Sequence, residues 1–459
     1  MIFEQHYLDC LSQASYFIGD ETSKRAVVVD PRRDISPYLD SAAEHGMTID
    51  LVLETHFHAD FLSGHLELAA ATGAAIGYGS MAETEFESRK LADGERIALG
   101  EVVLEIRHTP GHTPESISIV VYECEDDAEP YGVLTGDTLF IGDVGRPDLL
   151  ASVGVTSEDL ASQLYDSLHD RLLTLPDATR VFPAHGAGSA CGKNLSTETT
   201  STIGEQRSTN YALAPMDKDD FVCVVTDGQT APPAYFSHDA RRNREIHAIL
   251  DETEVPAALD LDIVLRHQRA GAVVLDTRDP NEFAVGHLIG AVNVGLGGRY
   301  AEFAGGVIQP GAPIVLVTDP GMEIEARNRL ARIGFDTVVG HLAGALETMH
   351  DNPDEVAQSS RVDVETLRSM LDDGPPLQLI DVRQPGETDQ GTIEGASLVP
   401  LTRLNERLAS LDASKPTVVF CAGGFRSSIA ASRLASSGFG DVSDLLGGYG
   451  AWKATLAET

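Results

Sequence analysis

Two stretches of this chain repeat one another. Val274-Leu275-Asp276-Thr277-Arg278-Asp279-Pro280-Asn281-Glu282-Phe283, followed by Gly286-His287-Leu288-Ile289-Gly290-Ala291, is echoed by Leu379-Ile380-Asp381-Val382-Arg383-Gln384-Pro385-Gly386-Glu387 and then Gly391-Thr392-Ile393-Glu394-Gly395-Ala396. Each copy runs on through a strand, a loop, a helix, a Gly-Phe step (Gly334-Phe335; Gly438-Phe439) and a closing glycine segment. Self-similarity on this scale leaves few folds open, and it predicts two tandem α/β domains at 256–355 and 361–459. A polar, proline-containing stretch around 251–256 separates them from a first segment of different character. That segment, 1–250, alternates β-branched runs (26–30, 51–55, 102–106, 116–121 and 132–137) with small-residue turns. Several runs end at a histidine or an aspartate, which puts polar groups on loops held by a rigid sheet.

A length of 459 residues allows roughly three domains of ordinary size, each with its own core. The formal net charge of -38 comes from 71 acidic against 33 basic residues, and makes nucleic acid and anionic membranes poor partners. This surplus of carboxylates fits either a high-salt habitat or simply a soluble acidic protein. No apolar run is long enough to span a bilayer and the N-terminus lacks the pattern of a secretion signal, so a cytoplasmic location is expected. Five cysteines (Cys10, Cys124, Cys191, Cys223, Cys421) without pairing logic point to a reducing compartment and free thiols.

Within the first segment, Thr55-His56-Phe57-His58-Ala59-Asp60-Phe61 is a metal-site motif whose last position is apolar. A loop of the form H-x-H-x-D-H can build two adjacent metal sites, and Phe61 removes a ligand of the second, so a one-metal centre is expected. Three more clusters supply polar groups: Thr109-Pro110-Gly111-His112, Gly136-Asp137-Thr138 and Phe182-Pro183-Ala184-His185. In the second repeat, the run 417–420 leads into Cys421-Ala422-Gly423-Gly424-Phe425-Arg426 and an alanine- and serine-rich helix. Backbone N–H groups, the positive helix end and the Arg426 charge would all stabilise a thiolate there. In the first repeat, alignment puts Asp319 where the cysteine would stand, so that copy has no thiol nucleophile there.

The second repeat, with its C-x-x-G-x-R loop, resembles the rhodanese family of sulfurtransferases. That resemblance implies that Cys421 carries sulfane sulfur as a persulfide, that Ala422, Gly423, Gly424 and Phe425 form the sulfur-binding loop, and that Arg426 binds anions. Residues 256–355 would then be a silent rhodanese-like domain. The first segment resembles the metallo-β-lactamase superfamily, and within it the persulfide dioxygenases, which carry one non-haem Fe(II) per domain. The expected fold class is α/β, a metallo-β-lactamase αββα sandwich followed by two rhodanese-like α/β domains. The resemblance implies His56, His112 and Asp137 as iron ligands, with zinc as the alternative metal, and leaves His58, Asp60 and His185 to orient ligands or bound water. Arg146, in Gly145-Arg146-Pro147-Asp148, is either an anion contact for the thiol substrate or a surface ion pair, and Cys191 either a second thiol near the metal or an inert buried one. The implied reaction oxidises a low-molecular-weight thiol persulfide with O₂ to sulfite, and Cys421 then delivers sulfane sulfur to that sulfite, giving thiosulfate. A homo-oligomer is expected. The rival readings are a glyoxalase-II-like metallohydrolase with a sulfurtransferase appendage and a non-oxidative sulfur carrier.

Overall fold

A computed structural model describes residues 1–149, 155–229, 231–389 and 391–457. The chain divides into two compact units, one made of Met1–Pro232 with Phe236–Asp251, the other of Pro233–Tyr235 with Glu252–Thr459. Among the described residues no helix is long and apolar enough to cross a membrane.

The first unit holds two six-stranded sheets. One runs in the order β1 (Ile2–Leu8), β2 (Gln13–Asp20), β3 (Arg25–Val29), β4 (Thr48–Leu53), β5 (Ala75–Gly79), β6 (Arg89–Leu91). The other comprises β7 (Arg96–Ala98), β8 (Val103–His108), β9 (Ile117–Tyr122), β10 (Gly132–Gly136), β11 (Arg180–Pro183) and β12 (Ser201–Thr202), again hydrogen-bonded in chain order. Alternation along each strand assigns side chains to faces. In β3, Val27 and Val29 point into the core between the sheets, where Leu104, Ile106, Ile119 and Leu134 meet them, while Ala26 and Val28 pack outward with Tyr38 and Ala42 of the helix Ser36–His45. β9 divides the same way, with Ile119 and Val121 inward and Val120 outward among Ala161 and Leu164 of the helix Ser157–Asp166. Sheets buried on both faces, with helices outside, form an αββα sandwich.

The end of β2 carries a charge that the fold requires. Asp20 accepts hydrogen bonds from the backbone N–H groups of Ser23 (2.6 Å), Glu101 (2.7 Å) and Val102 (3.0 Å), tying the two sheets together. Burial alone would raise its pKa, but these donors outweigh it and hold the carboxyl down at about 2. A pKa lower in the folded than in the unfolded state stabilises the protein above the ordinary carboxylate range, and that stability is lost as pH falls toward 2. Asp20→Asn should therefore lower stability at neutral pH by about 1–3 kcal/mol and shrink that loss below pH 4, measured as denaturant midpoints against pH.

The second unit contains two five-stranded parallel sheets of identical topology. The first has the order Ala258–Leu259, Val338–Leu342, Ile314–Val317, Val273–Asp276, Val292–Asn293; the second Ser360–Val362, Val442–Leu445, Thr417–Phe420, Gln378–Asp381, Ser397–Leu398. The repeated Asp-x-Arg explains its own recurrence. In each copy the arginine is buried and forks onto its aspartate, Arg278 on Asp276 and Arg383 on Asp381, and its Nη2 also donates to the carbonyl that closes the next turn, Gly286 or Gly391.

Candidate metal centre and thiol site

Four loops, each leaving the C-terminal end of a strand, bring buried ligand atoms together in the first unit. β4 leads to His56, β8 to His112, β10 to Asp137 and β11 to His185. Asp137 Oδ2 lies 3.4 Å from His112 Nε2 and 3.7 Å from His56 Nε2, and its Oδ1 lies 3.4 Å from His185 Nε2. The turn at Gly136 has φ 51°, and a side chain there would strike Thr55, so glycine lets Asp137 approach the His56 loop.

The hydrogen bonds fix which ring nitrogen faces inward. His112 Nδ1 donates to the Arg146 carbonyl (2.8 Å) and His185 Nδ1 to the Ser12 carbonyl (3.2 Å). Thr55 Oγ1 donates to Asp30 Oδ2 (2.8 Å), so it accepts from His56 Nδ1 (3.0 Å). All three rings therefore turn an Nε2 lone pair toward Asp137. Burial, reinforced by the neighbouring histidines His58, His112 and His185, pushes His56 well below its ordinary pKa, and burial takes His112 down to about 4, so both rings are neutral ligands at neutral pH. Burial also lifts Asp137 and Asp60 to about 6. His56 Nε2, His185 Nε2, Asp60 Oδ1 and both Asp137 oxygens are buried without a hydrogen-bond partner. Converging buried lone pairs and carboxylate charge are costly alone, and a cation satisfies them together, so the donor set fits a metal ion.

The structure gathers the predicted residues into two adjoining groups, His56–His112–Asp137 and His58–Asp60–His185, each with ligand atoms within 4.8 Å of one another. His58 Nε2 turns to Asp30 Oδ1 (3.1 Å) and Glu54 Oε2 (3.4 Å). Burial would lower its pKa, but the two carboxylates outweigh it and hold His58 well above the ordinary value. Phe61 is buried, its ring 4.3 Å from that of His58 and 6.4 Å from that of His185. Cys191 is buried too, its sulfur grouped with Asp137 and His185, and burial together with Asp60 and Asp137 raises its thiol pKa well above the ordinary range. Arg146 is neither at the surface nor open to a ligand. It is 1% exposed, forks onto Asp148 (2.7 and 2.8 Å) and donates to the Ala190 carbonyl, while its own carbonyl holds His112.

Sequence reasoning missed Asp30, Glu54 and Glu115. Asp30, with φ 51°, accepts from the N–H and hydroxyl of Thr55, and Glu115 accepts from the N–H of Phe57 (3.0 Å). A signal was available for Asp30, since Val29-Asp30 ends a strand as Gly136-Asp137 does.

In the second unit Cys421 follows the strand Thr417–Phe420 and is 1% exposed. Its Sγ accepts the N–H of Gly424 (3.1 Å) and lies 3.6 Å from Ser427 Oγ, ahead of the helix Phe425–Ser436. Gly424, at φ 100°, aims that N–H at the sulfur. The N–H groups of Tyr449 and Gly450 bind the carbonyls of Cys421 and Ala422, anchoring the loop, while Ala422 and Gly423 face outward. Arg426 is already engaged, with Nη1 and Nη2 forked onto Glu387 at 2.7 and 2.6 Å. Burial would raise the Glu387 pKa, but Arg426 wins and lowers it.

The sheet register corrects the alignment of the two copies by one residue. Asp381 pairs with Phe420 and Asp276 with Val317, so Thr318 directly follows its strand as Cys421 does, and Asp319 lies one step further on, exposed. From strand to helix the second copy uses four residues (421–424) and the first five (318–322). Neither Thr318 nor Asp319 offers a thiol.

Fold and sites define a metallo-β-lactamase-type metal-binding sandwich joined to tandem rhodanese-like domains. The Metallo-beta-lactamase superfamily matches residues 8–185, and the Rhodanese-like domain family matches 260–351 and 363–455. The mitochondrial persulfide dioxygenase ETHE1 of Bos taurus is 30% identical over 46% of this chain and 75% of its own length. A hydroxyacylglutathione hydrolase of Synechococcus sp. (strain JA-3-3Ab) is 34% identical over 37% of this chain and 62% of its own. Among solved structures, a metallo-beta-lactamase from Staphylococcus aureus subsp. aureus COL is similar at a TM-score of 0.67, with 32% identity over 74% of this chain and 98% of that one. The chain belongs to the metallo-β-lactamase superfamily, as a fusion of an ETHE1-like persulfide dioxygenase domain with two rhodanese-like domains. It is an enzyme of sulfur metabolism, and its fold and relatives imply a bound metal.

Proposed function

We propose that the first unit oxidises a low-molecular-weight thiol persulfide with O₂ to sulfite at a single Fe(II) held by His56, His112 and Asp137, and that Cys421 transfers sulfane sulfur to sulfite, giving thiosulfate. The observation that carries this reading is the His56–His112–Asp137 cluster beside Phe61, two imidazoles and one carboxylate with an apolar ring where a further histidine would complete a second site. An Fe(II) held by these three residues would supply the redox chemistry that couples persulfide sulfur to O₂. The chain's own residues do the rest. The Arg146 carbonyl and Thr55 hold His112 and His56 in the tautomer that presents Nε2, Asp30 and Glu54 engage Nε2 of His58, and Phe61 and Phe140 flank His185 with apolar rings. At Cys421, the Gly424 N–H steadies the sulfur anion. Residues 256–355 are the catalytically silent copy.

The hydrolase reading draws on one feature, the His58–Asp60–His185 group, which offers ligand atoms for a second ion. The commitment of His58 to Asp30 and Glu54 counts against it. One experiment separates the two: anaerobically iron-loaded protein, given a thiol persulfide, should consume O₂ and form thiosulfate. Two equivalents of bound zinc with no O₂ uptake would favour the hydrolase.

The Arg426–Glu387 fork sets a condition on sulfite use, because an anionic acceptor has to compete with Glu387 for the guanidinium. Glu387→Gln should lower the KM for sulfite about three- to tenfold, measured as thiosulfate formed from persulfide-loaded protein.

A further inference from the structure

The silent copy shares a cavity with the active one. Within the second unit a cavity of about 350 Å³ is lined from the first copy by Arg299, Glu302, Phe303 and Gly306, and from the second by residues including Glu387 and Arg426. It reaches the cysteine loop at Arg426. The wall on the silent side is firmly built. Phe303 packs on Phe425 at 5.6 Å between ring centroids, Asn405 Nδ2 donates to the Val307 carbonyl (3.0 Å), and Ser432 Oγ accepts the N–H of Asn293 (2.9 Å). Each wall carries an ion pair, Arg299 with Glu302 and Arg426 with Glu387. Gly306 is buried, yet a side chain added there would meet nothing within 4 Å, so this wall leaves open room in front of it.

Sulfite alone would not need such a space, and a volume of this size suits a small organic molecule. The two guanidiniums and two carboxylates that line it complement a ligand that itself carries both signs, exchanging each internal pair for a carboxylate or an ammonium of the guest. We propose that the first rhodanese-like copy is the specificity wall of the sulfur-transfer site, with Arg299 and Glu302 reading the charged groups of a zwitterionic, amino-acid-like thiol persulfide. The inference rests on the sulfur-transfer reading of Cys421 and names its donor class. The step balances: the Cys421 thiolate attacks the outer sulfur of RS–SH, the S–S bond breaks, RS⁻ leaves with the electron pair, and Cys421–S–SH remains.

The test follows the mass gain of one sulfur atom on Cys421 in the full-length protein, with cysteine persulfide as the donor that carries an ammonium and a carboxylate and ethyl persulfide as the donor that carries neither. Arg299→Gln should lower the cysteine-to-ethyl ratio of kcat/KM about tenfold through KM, and Arg299→Lys should restore part of it. Gly306→Leu, which fills the cavity from the same wall, should slow glutathione persulfide more than cysteine persulfide. Unaltered donor ratios in both Arg299→Gln and Gly306→Leu would overturn the specificity wall alone. A wild-type Cys421 that takes sulfur from neither donor would overturn the sulfur-transfer reading and this inference with it.

Discussion

A Cys421→Ser protein is expected to go on consuming O₂ with a thiol persulfide and to release sulfite in place of thiosulfate, with thiosulfate formation falling about a hundredfold or more. The expectation rests on geometry that only a thiolate can use. The Gly424 N–H points at the sulfur from 3.1 Å, the helix Phe425–Ser436 begins behind it, and the neighbouring copy offers Thr318 and Asp319 in place of a second thiol. A serine hydroxyl fits that space but stays protonated at neutral pH and holds no sulfane sulfur. Oxygen uptake and thiosulfate are measured on the same sample, so a general loss of folding shows as a fall in both. Thiosulfate formed at the parent rate would remove Cys421 from the reaction.

Asp137→Asn should act in the opposite sense. Bound iron and O₂ uptake are expected to drop about a hundredfold or more, while sulfur loading of Cys421 continues, because the two residues belong to different units. Asp137 is the one carboxylate facing three imidazoles, and its amide would remove the negative charge and present an N–H₂ donor to the ion. Burial already lifts the Asp137 carboxyl to about 6, so a neutral amide relieves that burden and the metal-free variant should unfold no earlier than its parent. Metal analysis beside an oxygen electrode reads both effects. Full iron occupancy with parental O₂ uptake would take Asp137 out of the ligand set.

Much of this was legible in the chain itself, for physical reasons that particular residues make plain. The repeat is readable because Asp-x-Arg in each copy is a buried fork whose arginine also ties down a turn, so several residue types are fixed together. The metal clusters at His56, His112 and Asp137 are readable because each follows an apolar, Val- and Leu-containing run. The counter-charges are not. Asp30 and Glu54 stand in strand-end surroundings that suit many aspartates and glutamates, and only the fold shows that both meet the His58 ring. Arg146 reads in the sequence as either an anion contact or a surface ion pair, because its buried place depends on Asp148 and on the Ala190 carbonyl, the latter far away in sequence. The cavity beside Arg426 leaves no local trace either, since it exists only where two copies of one fold meet.

The extra residue between Val317 and Glu323 sets a demand on any attempt to give the first copy a working thiol. Thr318→Cys would stand in register with Cys421, but the Thr318 hydroxyl is buried without a hydrogen-bond partner where the Cys421 sulfur receives the Gly424 N–H. A thiol cradled there would need the loop shortened as well as the residue replaced. One residue of loop length thus separates a strand end that meets a backbone N–H from one that does not.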